Sequence, residues 1–216
     1  MQSAPRVSVS GLAVERFGRL VLHCCELSLE KGEWVDMRGP SGSGKSSLLL
    51  AIARLIARKS GELFLNGGSE HEVPLSKWRT RVVWCPQTPV YLPGSVYENL
   101  LIAFRFGANA LRDIPTDSDI RARMDRLGLQ EVGFGNLAER LSGGQLARLA
   151  VLRASLLEPE LFLLDEPDAM LDDKSSEQVS DYLSELRNEG TTVLRVCHRP
   201  TPGANREFYM EGGILK

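Results

Sequence analysis

The fold of this chain is decided by the stretch Gly39-Pro40-Ser41-Gly42-Ser43-Gly44-Lys45-Ser46, with Ser47 directly after it. The stretch fits the pattern GxxxxGK[ST] and lies between a predicted strand (33–38) and a predicted helix (46–57). Its glycines let successive backbone N–H groups curl around phosphate oxygens, and the helix start adds a partial positive charge. In such a loop Lys45 neutralises the β- and γ-phosphates of a nucleotide, and the Ser46 hydroxyl binds Mg²⁺. The alternative is a glycine-rich turn with an exposed lysine, which the two correct flanks disfavour.

Two acidic residues follow a wholly apolar stretch later in the chain, in Leu161-Phe162-Leu163-Leu164-Asp165-Glu166-Pro167. Four apolar residues in a row predict a strand at the centre of a parallel sheet. Neighbouring side chains on a strand point to opposite faces, so the two carboxylates can do different work. We expect Asp165 to hold Mg²⁺ through its water shell and Glu166 to polarise an attacking water. An acidic pair can also simply begin a turn, but a phosphate loop needs an acidic partner for Mg²⁺ on a neighbouring strand.

A second glycine-rich helix start lies at Leu141-Ser142-Gly143-Gly144-Gln145. Ser142 is a typical N-cap residue, and the two glycines expose backbone N–H groups at the positive end of the predicted helix, which runs to about residue 157. The segment is therefore a second candidate anion site, although it has no lysine. An ordinary helix cap explains the same residues equally well.

Strands alternate with helices in the first and last thirds of the chain, which predicts a parallel α/β core. The early strand at 7–15 reads as an edge strand, and we expect an antiparallel β edge beside the core. The middle third opens with three prolines and then reads as mostly helical. We expect a single domain over 1–216. Its core should lie at 1–86 and 141–216, with a helical sub-domain at about 87–140.

Composition excludes several classes of protein. Lys and Arg number 26 and Asp and Glu number 28, so the formal net charge is −2, and the chain has no global field for holding nucleic acid or an anionic membrane. No apolar stretch approaches the roughly 20 residues that span a bilayer, and the first residues lack the apolar core of a signal peptide. The four cysteines show no metal spacing and are expected to be reduced thiols in the cytosol. We expect no nucleic-acid partner, and contact with a membrane only through another chain.

Together these motifs resemble those of ABC-type ATPases, the nucleotide-binding subunits of ABC transporters, over essentially the whole chain. Residues 39–46 match the Walker A motif, 141–145 match the family signature, and 161–167 match Walker B with its catalytic glutamate. Single residues also fall at the family's adenine-stacking aromatic, Q-loop, D-loop and switch histidine positions: Phe17, Gln87, Asp172 and His198. Walker A, the signature, Walker B, the Q-loop, the D-loop and the switch histidine are six motifs in the right order, and together they are far more specific than any one of them.

The resemblance implies a P-loop NTPase (RecA-like) fold, with ATP and Mg²⁺ as ligands. Two copies would pack head to tail, so that the signature of one (Ser142 to Gln145) and Asp172 complete the nucleotide site of the other. Closing this homodimer would drive a separate transmembrane permease from the cytoplasmic face of the inner membrane. Glu166 would act as base or water-positioner and His198 would contact the γ-phosphate. Gln87 would join Ser46 and Asp165 at the Mg²⁺ and link to the permease.

The chain departs from the family pattern in its D-loop, where Asp168-Ala169-Met170-Leu171-Asp172 replaces the usual serine-containing sequence. Ala169 lacks the serine hydroxyl that usually faces the opposing subunit, so its side chain cannot form that cross-dimer hydrogen bond. His198 is followed by Arg199 rather than the commoner acid. None of these departures removes a catalytic group.

The same residues bear on other functions. A signature ahead of the Walker B strand argues against a P-loop kinase outside the family. A soluble ABC ATPase of repair or translation type is the main alternative, but 47–140 is too short for the coiled coils of repair members, and translation members carry two cassettes. Residues 84–100 resemble the small bacterial subunits of iron or metal exporters. We therefore expect a transporter ATPase, with a metal as the candidate cargo. Peptide, lipid and drug exporters share much of the same pattern, and an importer fits it too, because the permease determines the direction of transport.

Overall fold

The described part of the chain, residues 5–199 and 203–216 of the computed structural model, forms two β-sheets and their covering helices. Its strands are β1 (Val7–Arg16), β2 (Arg19–Leu29), β3 (Trp34–Arg38), β4 (Ser60–Leu65), β5 (Gly68–Ser69), β6 (Val82–Cys85), β7 (Leu161–Asp165), β8 (Thr192–Val196), β9 (Arg206–Glu211) and β10 (Ile214–Leu215). Its α-helices are α1 (Lys45–Ile52), α2 (Leu75–Arg81), α3 (Val96–Leu101), α4 (Asp117–Arg126), α5 (Gly143–Ser155) and α6 (Asp173–Asn188). Short 3₁₀ helices lie at Glu70–Glu72, Ile102–Arg105, Gly107–Asn109 and Ala138–Arg140.

The larger sheet has the strand order β10-β9-β3-β8-β7-β6 and is parallel from β9 to β6. Every residue of β7 and β8 is buried, as the unbroken apolar run 161–164 predicts for a strand covered on both faces. In such a sheet the carboxyl ends of the strands lie along one edge, where ligands usually bind. The loops after β3, β6, β7 and β8 therefore meet at that edge.

The smaller sheet is antiparallel, with the order β2-β1-β4-β5. Its first hairpin turns through Phe17 and Gly18, whose φ angles are +51° and +72°. Two positive φ angles in a two-residue turn match the right-handed twist of the strands on either side. The predicted antiparallel edge is confirmed, and its hairpin carries Phe17 at the tip.

Two apolar cores lie on the two faces of the larger sheet. One joins α1 to the antiparallel sheet, and Leu48, Leu49 and Trp78 are fully buried in it. The other joins α3, α4, α5 and α6 to the opposite face, with Ile120 and Phe162 among its fully buried members. The parallel α/β core is confirmed. The division into a core and a helical sub-domain at about 87–140 stays a prediction.

The helix after the phosphate loop ends earlier than the predicted 46–57, so that boundary was wrong. Arg54 has a φ of +56°, and Leu55 N donates to Leu50 O at 2.8 Å, which closes the helix end. Arg54 also reaches the fully buried Glu70, with Nε 3.2 Å from its carboxylate. This long-range ion pair overrides the apolar spacing that suggested a longer helix. In the described residues no helix is both long and apolar enough to cross a membrane.

Candidate active site

The phosphate loop is held in a shape that only glycine allows at two positions. Gly39 and Gly44 have φ angles of +148° and +109°. A Cβ on Gly39 would lie 2.0 Å from Met210 O, and one on Gly44 would lie 2.8 Å from Val21 O. No side chain caps the start of α1, which leaves its first-turn N–H groups for an anion.

Lys45 completes the loop from inside. Its Nζ donates to Gly39 O and to Pro40 O, both at 2.8 Å, and the residue is buried. The buried hydroxyl of Ser43, in the same loop, has no hydrogen-bond partner among the described residues. A buried ammonium, open helix N–H groups and an unpaired hydroxyl in one loop suit a phosphate chain.

Asp165 ends β7 below this loop and is buried. Burial raises the pKa of Asp165, while the Ser46 hydroxyl that hydrogen-bonds to the carboxylate lowers it. Mg²⁺ takes oxygen ligands, usually only one or two carboxylates together with water and substrate phosphates. A hydroxyl and a carboxylate in mutual contact therefore fit Mg²⁺.

Glu166 is the meeting point of three loops. Gln87 Nε2, after β6, donates to Glu166 Oε2 at 2.8 Å, and His198 Nε2, after β8, lies 3.0 Å from the same oxygen. The backbone of Glu166 is held with φ +49°, and its N–H donates to Val196 O at 3.1 Å. A positive φ at a non-glycine residue stores strain that the surroundings must support. The chain thus fixes this carboxylate at the edge of the sheet.

These loops line a cleft of about 930 Å³. The predicted site residues that line it are Phe17, Ser41, Gly42, Gly44, Lys45, Ser46, Ser47, Gln87, Glu166 and His198. Phe17 presents its ring to solvent, with 97% of the residue exposed. The cleft also includes Arg16 and Arg19, which the sequence reading missed. Their position on either side of the exposed hairpin aromatic is the signal that could have found them.

The second glycine-rich segment lies outside this cleft. Ser142 Oγ accepts from Gln145 N at 3.2 Å, and Gln145 Oε1 accepts from Ser142 N at 2.9 Å, which forms a capping box at α5. Asp172 caps α6 by accepting from Ser175 N at 2.8 Å, and hydrogen bonds from the Ser175 side chain and backbone lower the pKa of the carboxyl. Within one chain, therefore, Ser142 to Gln145 and Asp172 do not meet the phosphate loop.

Comparison with known proteins agrees with this architecture. Residues 22–169 match the family described as ABC transporter. The chain is 34% identical to an uncharacterised ABC transporter ATP-binding protein, YknY, of Bacillus subtilis, over 83% of this chain and 79% of that one. It is also 34% identical to the glutamate/aspartate import ATP-binding protein GltL of Escherichia coli K12, over 90% and 83% of the two chains.

A solved structure gives the same result in three dimensions. The ATP-binding cassette MJ0796, a dimer in a post-hydrolysis state bound to ADP and Pi, superposes with a TM-score of 0.81. The match has 26% identity and covers 97% of this chain and 96% of that one. The expected P-loop NTPase fold and ATPase activity are confirmed. The chain belongs to the ABC transporter family, as an ATP-binding subunit that hydrolyses ATP.

Proposed function

We propose that this subunit powers a separate transmembrane permease, and that it works as an ATP-dependent homodimer at the cytoplasmic face of the inner membrane. The observation that carries the proposal is the cleft in which the phosphate loop, Gln87, Glu166 and His198 come together. Each strand end contributes one element of the chemistry, so ATP bound there would contact all of them at once.

In this cleft Glu166 positions or activates the attacking water. Its carboxylate is held by Gln87 and His198, which would also lie close to the γ-phosphate of the bound ATP. Mg²⁺, when bound by Ser46, Asp165 and Gln87, supplies positive charge against the transferring phosphoryl group. Lys45 and the open start of α1 hold the phosphates, and Phe17 offers a ring face to adenine. The nucleotide thus links residues from both sheets.

The second half of the site comes from another copy of the chain. The Ser142 hydroxyl oxygen accepts a hydrogen bond from the N–H of Gln145, but the hydroxyl can still donate its proton to another acceptor. A Cβ added to Gly143 would meet no atom nearer than Met170 Sδ, at 3.8 Å. The helix start is therefore open at this residue. An ATP phosphate on the opposing subunit is a fitting acceptor for this surface.

The permease would dock on an apolar face beside Gln87. Val90, Leu92 and Phe106 are exposed large apolar residues in the segment after β6, and such patches mark interaction sites. Phe104, two residues before Phe106, lies in the core and is not available to a partner. Because Gln87 lies at the start of this segment, a change in its position would be transmitted to a permease docked there.

Iron or another metal is the cargo we propose, on the resemblance of residues 84–100 to metal-export subunits. The relative GltL is named for glutamate/aspartate import, so the cargo needs a direct test. Cells that lack this subunit should accumulate iron by elemental analysis, and wild type but not Lys45→Ala should restore the normal level. Unchanged metal content in the deletion strain would remove the metal proposal and leave the ATPase proposal intact.

The test of the main proposal is a trapping experiment. Glu166→Gln should bind ATP and hydrolyse it at least about 100-fold more slowly than wild type, so the closed dimer accumulates. Tagged Glu166→Gln would be recovered from detergent-solubilised source membranes with Mg-ATP. The matched control is the Lys45→Ala/Glu166→Gln double variant, which keeps the acid change and loses the phosphate contact.

The outcomes separate two classes of ABC ATPase. Recovery of a polytopic membrane protein with Glu166→Gln, and not with the double variant, supports the transporter role. Recovery of soluble proteins or nucleic acid alone, while ATP still dimerises the variant, would assign the chain to the soluble repair or translation class. Wild-type hydrolysis by Glu166→Gln would refute the role of Glu166 itself.

A further inference from the structure

A fully buried ion pair joins two central strands of the larger sheet. Asp36 on β3 and Arg195 on β8 are direct neighbours in the parallel register and are 0% and 1% exposed. Arg195 Nε and Nη2 donate to the two carboxylate oxygens of Asp36 at 3.0 and 2.9 Å. Trp34 Nε1 donates to Asp36 Oδ1 at 2.8 Å. Burying two charges has a desolvation cost that the attraction often fails to exceed, so stability alone does not account for the pair.

The same guanidinium reaches both loops that carry the candidate catalytic residues. Arg195 Nη1 lies 3.8 Å from Asp168 Oδ2, two residues after Glu166. The Arg195 side chain also hydrogen-bonds the buried thiol of Cys197, the residue before His198. Burial, with the charge of Asp36 beside it, raises the pKa of the Cys197 thiol to about 12, so this partner is neutral.

The loop after β7 is stiff enough to pass a change at Asp168 to Glu166. Ala169 N donates to Glu166 O at 3.2 Å and Leu171 N donates to Asp168 O at 3.0 Å, so the segment is a hydrogen-bonded turn. The side chain of Asp168 is three-quarters buried, which limits the screening of its attraction to Arg195. Movement of Asp168 therefore moves the backbone that carries Glu166.

We propose that Arg195 is a positioning residue: held by Asp36, its guanidinium fixes the loops after β7 and β8 and so sets the contact between Glu166 and His198. The guanidinium is planar, so its orientation is fixed once two of its nitrogens bond to Asp36, and its third nitrogen then faces Asp168. Burial alone would lower the pKa of Arg195, but the charge of Asp36 raises it, so the charge persists. Asp36 lies on β3, which leads directly into the phosphate loop. Arg195 therefore holds Glu166 and His198 in a fixed position relative to that loop.

This inference rests on the roles proposed for Glu166 and His198, and it is tested at Asp168. Replacing Arg195 would leave Asp36 buried without its partner and would endanger folding. Asp168→Asn removes one charge and leaves the Asp36–Arg195 pair. We expect kcat to fall about tenfold with the KM for ATP within about twofold of wild type, because the interaction orients the reacting groups rather than the nucleotide. Asp168→Glu keeps the charge and should retain at least about half of the kcat.

The matched control is Asp181→Asn. Asp181 lines the same surface cleft as Asp168, on α6, and forms no ion pair within the described part of the chain. It loses the same charge, so kcat and KM should stay at wild-type values. A tenfold fall in kcat for both aspartate variants would overturn the proposal, because the cause would then be the charge of the cleft and not Arg195.

A second readout does not depend on catalysis. The chain has three histidines, so their ring C–H resonances can be assigned by NMR. Asp168→Asn should shift the His198 resonances and leave those of His23 and His71 in place, while Asp181→Asn should move none. An unshifted His198 in Asp168→Asn overturns the positioning role whatever the kinetics show. A shifted His198 in Asp168→Asn, together with wild-type ATP hydrolysis by Glu166→Gln, would support the link and refute only the role proposed for Glu166.

Discussion

The two glycine-rich helix starts of this protein are built in opposite ways. At α1 the N-cap is Gly44, with φ +109° and no side-chain hydrogen bond. At α5 the N-cap is Ser142, whose side chain and that of Gln145 bond each other's backbone N–H groups. A helix start without a cap leaves its donors to a ligand, and a capped one has already satisfied part of them. The first start can bind an anion within its own chain, and the second adds contacts to an anion held elsewhere.

The positive charges follow the same division. Lys45 sits inside the loop before α1, with Nζ on two loop carbonyls at 2.8 Å. The basic residue in the early part of α5, Arg148, donates instead to Leu127 O and Gly128 O at 3.0 and 2.9 Å. Its guanidinium ties α5 to the end of α4, so Arg148 is not a cation that faces a ligand at this start, and the helix start itself supplies backbone dipoles and a hydroxyl.

Gly44→Ala should destabilise the protein more than any other change at the two helix starts. An added Cβ would lie 2.8 Å from both Val21 O and Leu22 Cδ2, at a φ that alanine avoids. Backbone strain and overpacking together should lower the free energy of unfolding by about 3 kcal/mol. Urea denaturation measures the loss. A variant within about 1 kcal/mol of wild type would show that the loop can relax, and the rigidity assigned to this start would be wrong.

Lys45→Met should have the next largest effect, and on binding rather than folding. Loss of a charged hydrogen-bonding group facing the phosphates costs about 3 kcal/mol, or roughly a 100-fold weaker affinity for ATP. Isothermal titration with Mg-ATP measures it. Lys59→Met is the control, because Lys59 is exposed and pairs with Glu15 outside the cleft. Equal affinities for the two variants would contradict the role of Lys45.

Local patterns in the sequence predicted much of this site, because most of its functional residues lie within short continuous segments. The loop at 39–46, the acids after β7 and the cap at Ser142 each depend on neighbours within a few residues. Their strand and helix context could therefore be inferred without a structure. The place of Phe17 came from the resemblance to the family and not from its own neighbours.

Features that depend on distant pairs escaped the same reasoning. The early end of α1 depends on Arg54 reaching the buried Glu70, and nothing in the apolar spacing of the helix shows that partner. The Asp36–Arg195 pair joins residues 159 positions apart on strands that read as ordinary buried segments. Such pairs follow from the sheet order, which a single sequence does not reveal. Of these two pairs, Asp36–Arg195 is the one to which we assign the positioning of Glu166.

Ser142→Ala tests the role of the capped start of α5. Loss of an N-cap hydroxyl should lower the free energy of unfolding by about 1 kcal/mol. Ser95→Ala is a matched control, because Ser95 forms the same kind of capping box with Glu98 at α3. Both variants should lose similar stability, but only Ser142→Ala should lower the ATPase rate, by about tenfold if its hydroxyl contacts ATP across the dimer. Equal rates would reduce Ser142 to an ordinary cap.

Gly143→Ala should have the smallest effect on stability and the opposite sign to Gly44→Ala. An added Cβ on Gly143 would meet nothing nearer than Met170 Sδ at 3.8 Å, and alanine suits a helix better than glycine. The free energy of unfolding should rise by about 0.5 kcal/mol, measured by urea denaturation. If the glycine is there for close approach of the opposing subunit, the same variant should nevertheless dimerise less with ATP, as light scattering of the Glu166→Gln background would show. A variant that is both more stable and fully able to dimerise would mean that the open face of α5 plays no part in the site.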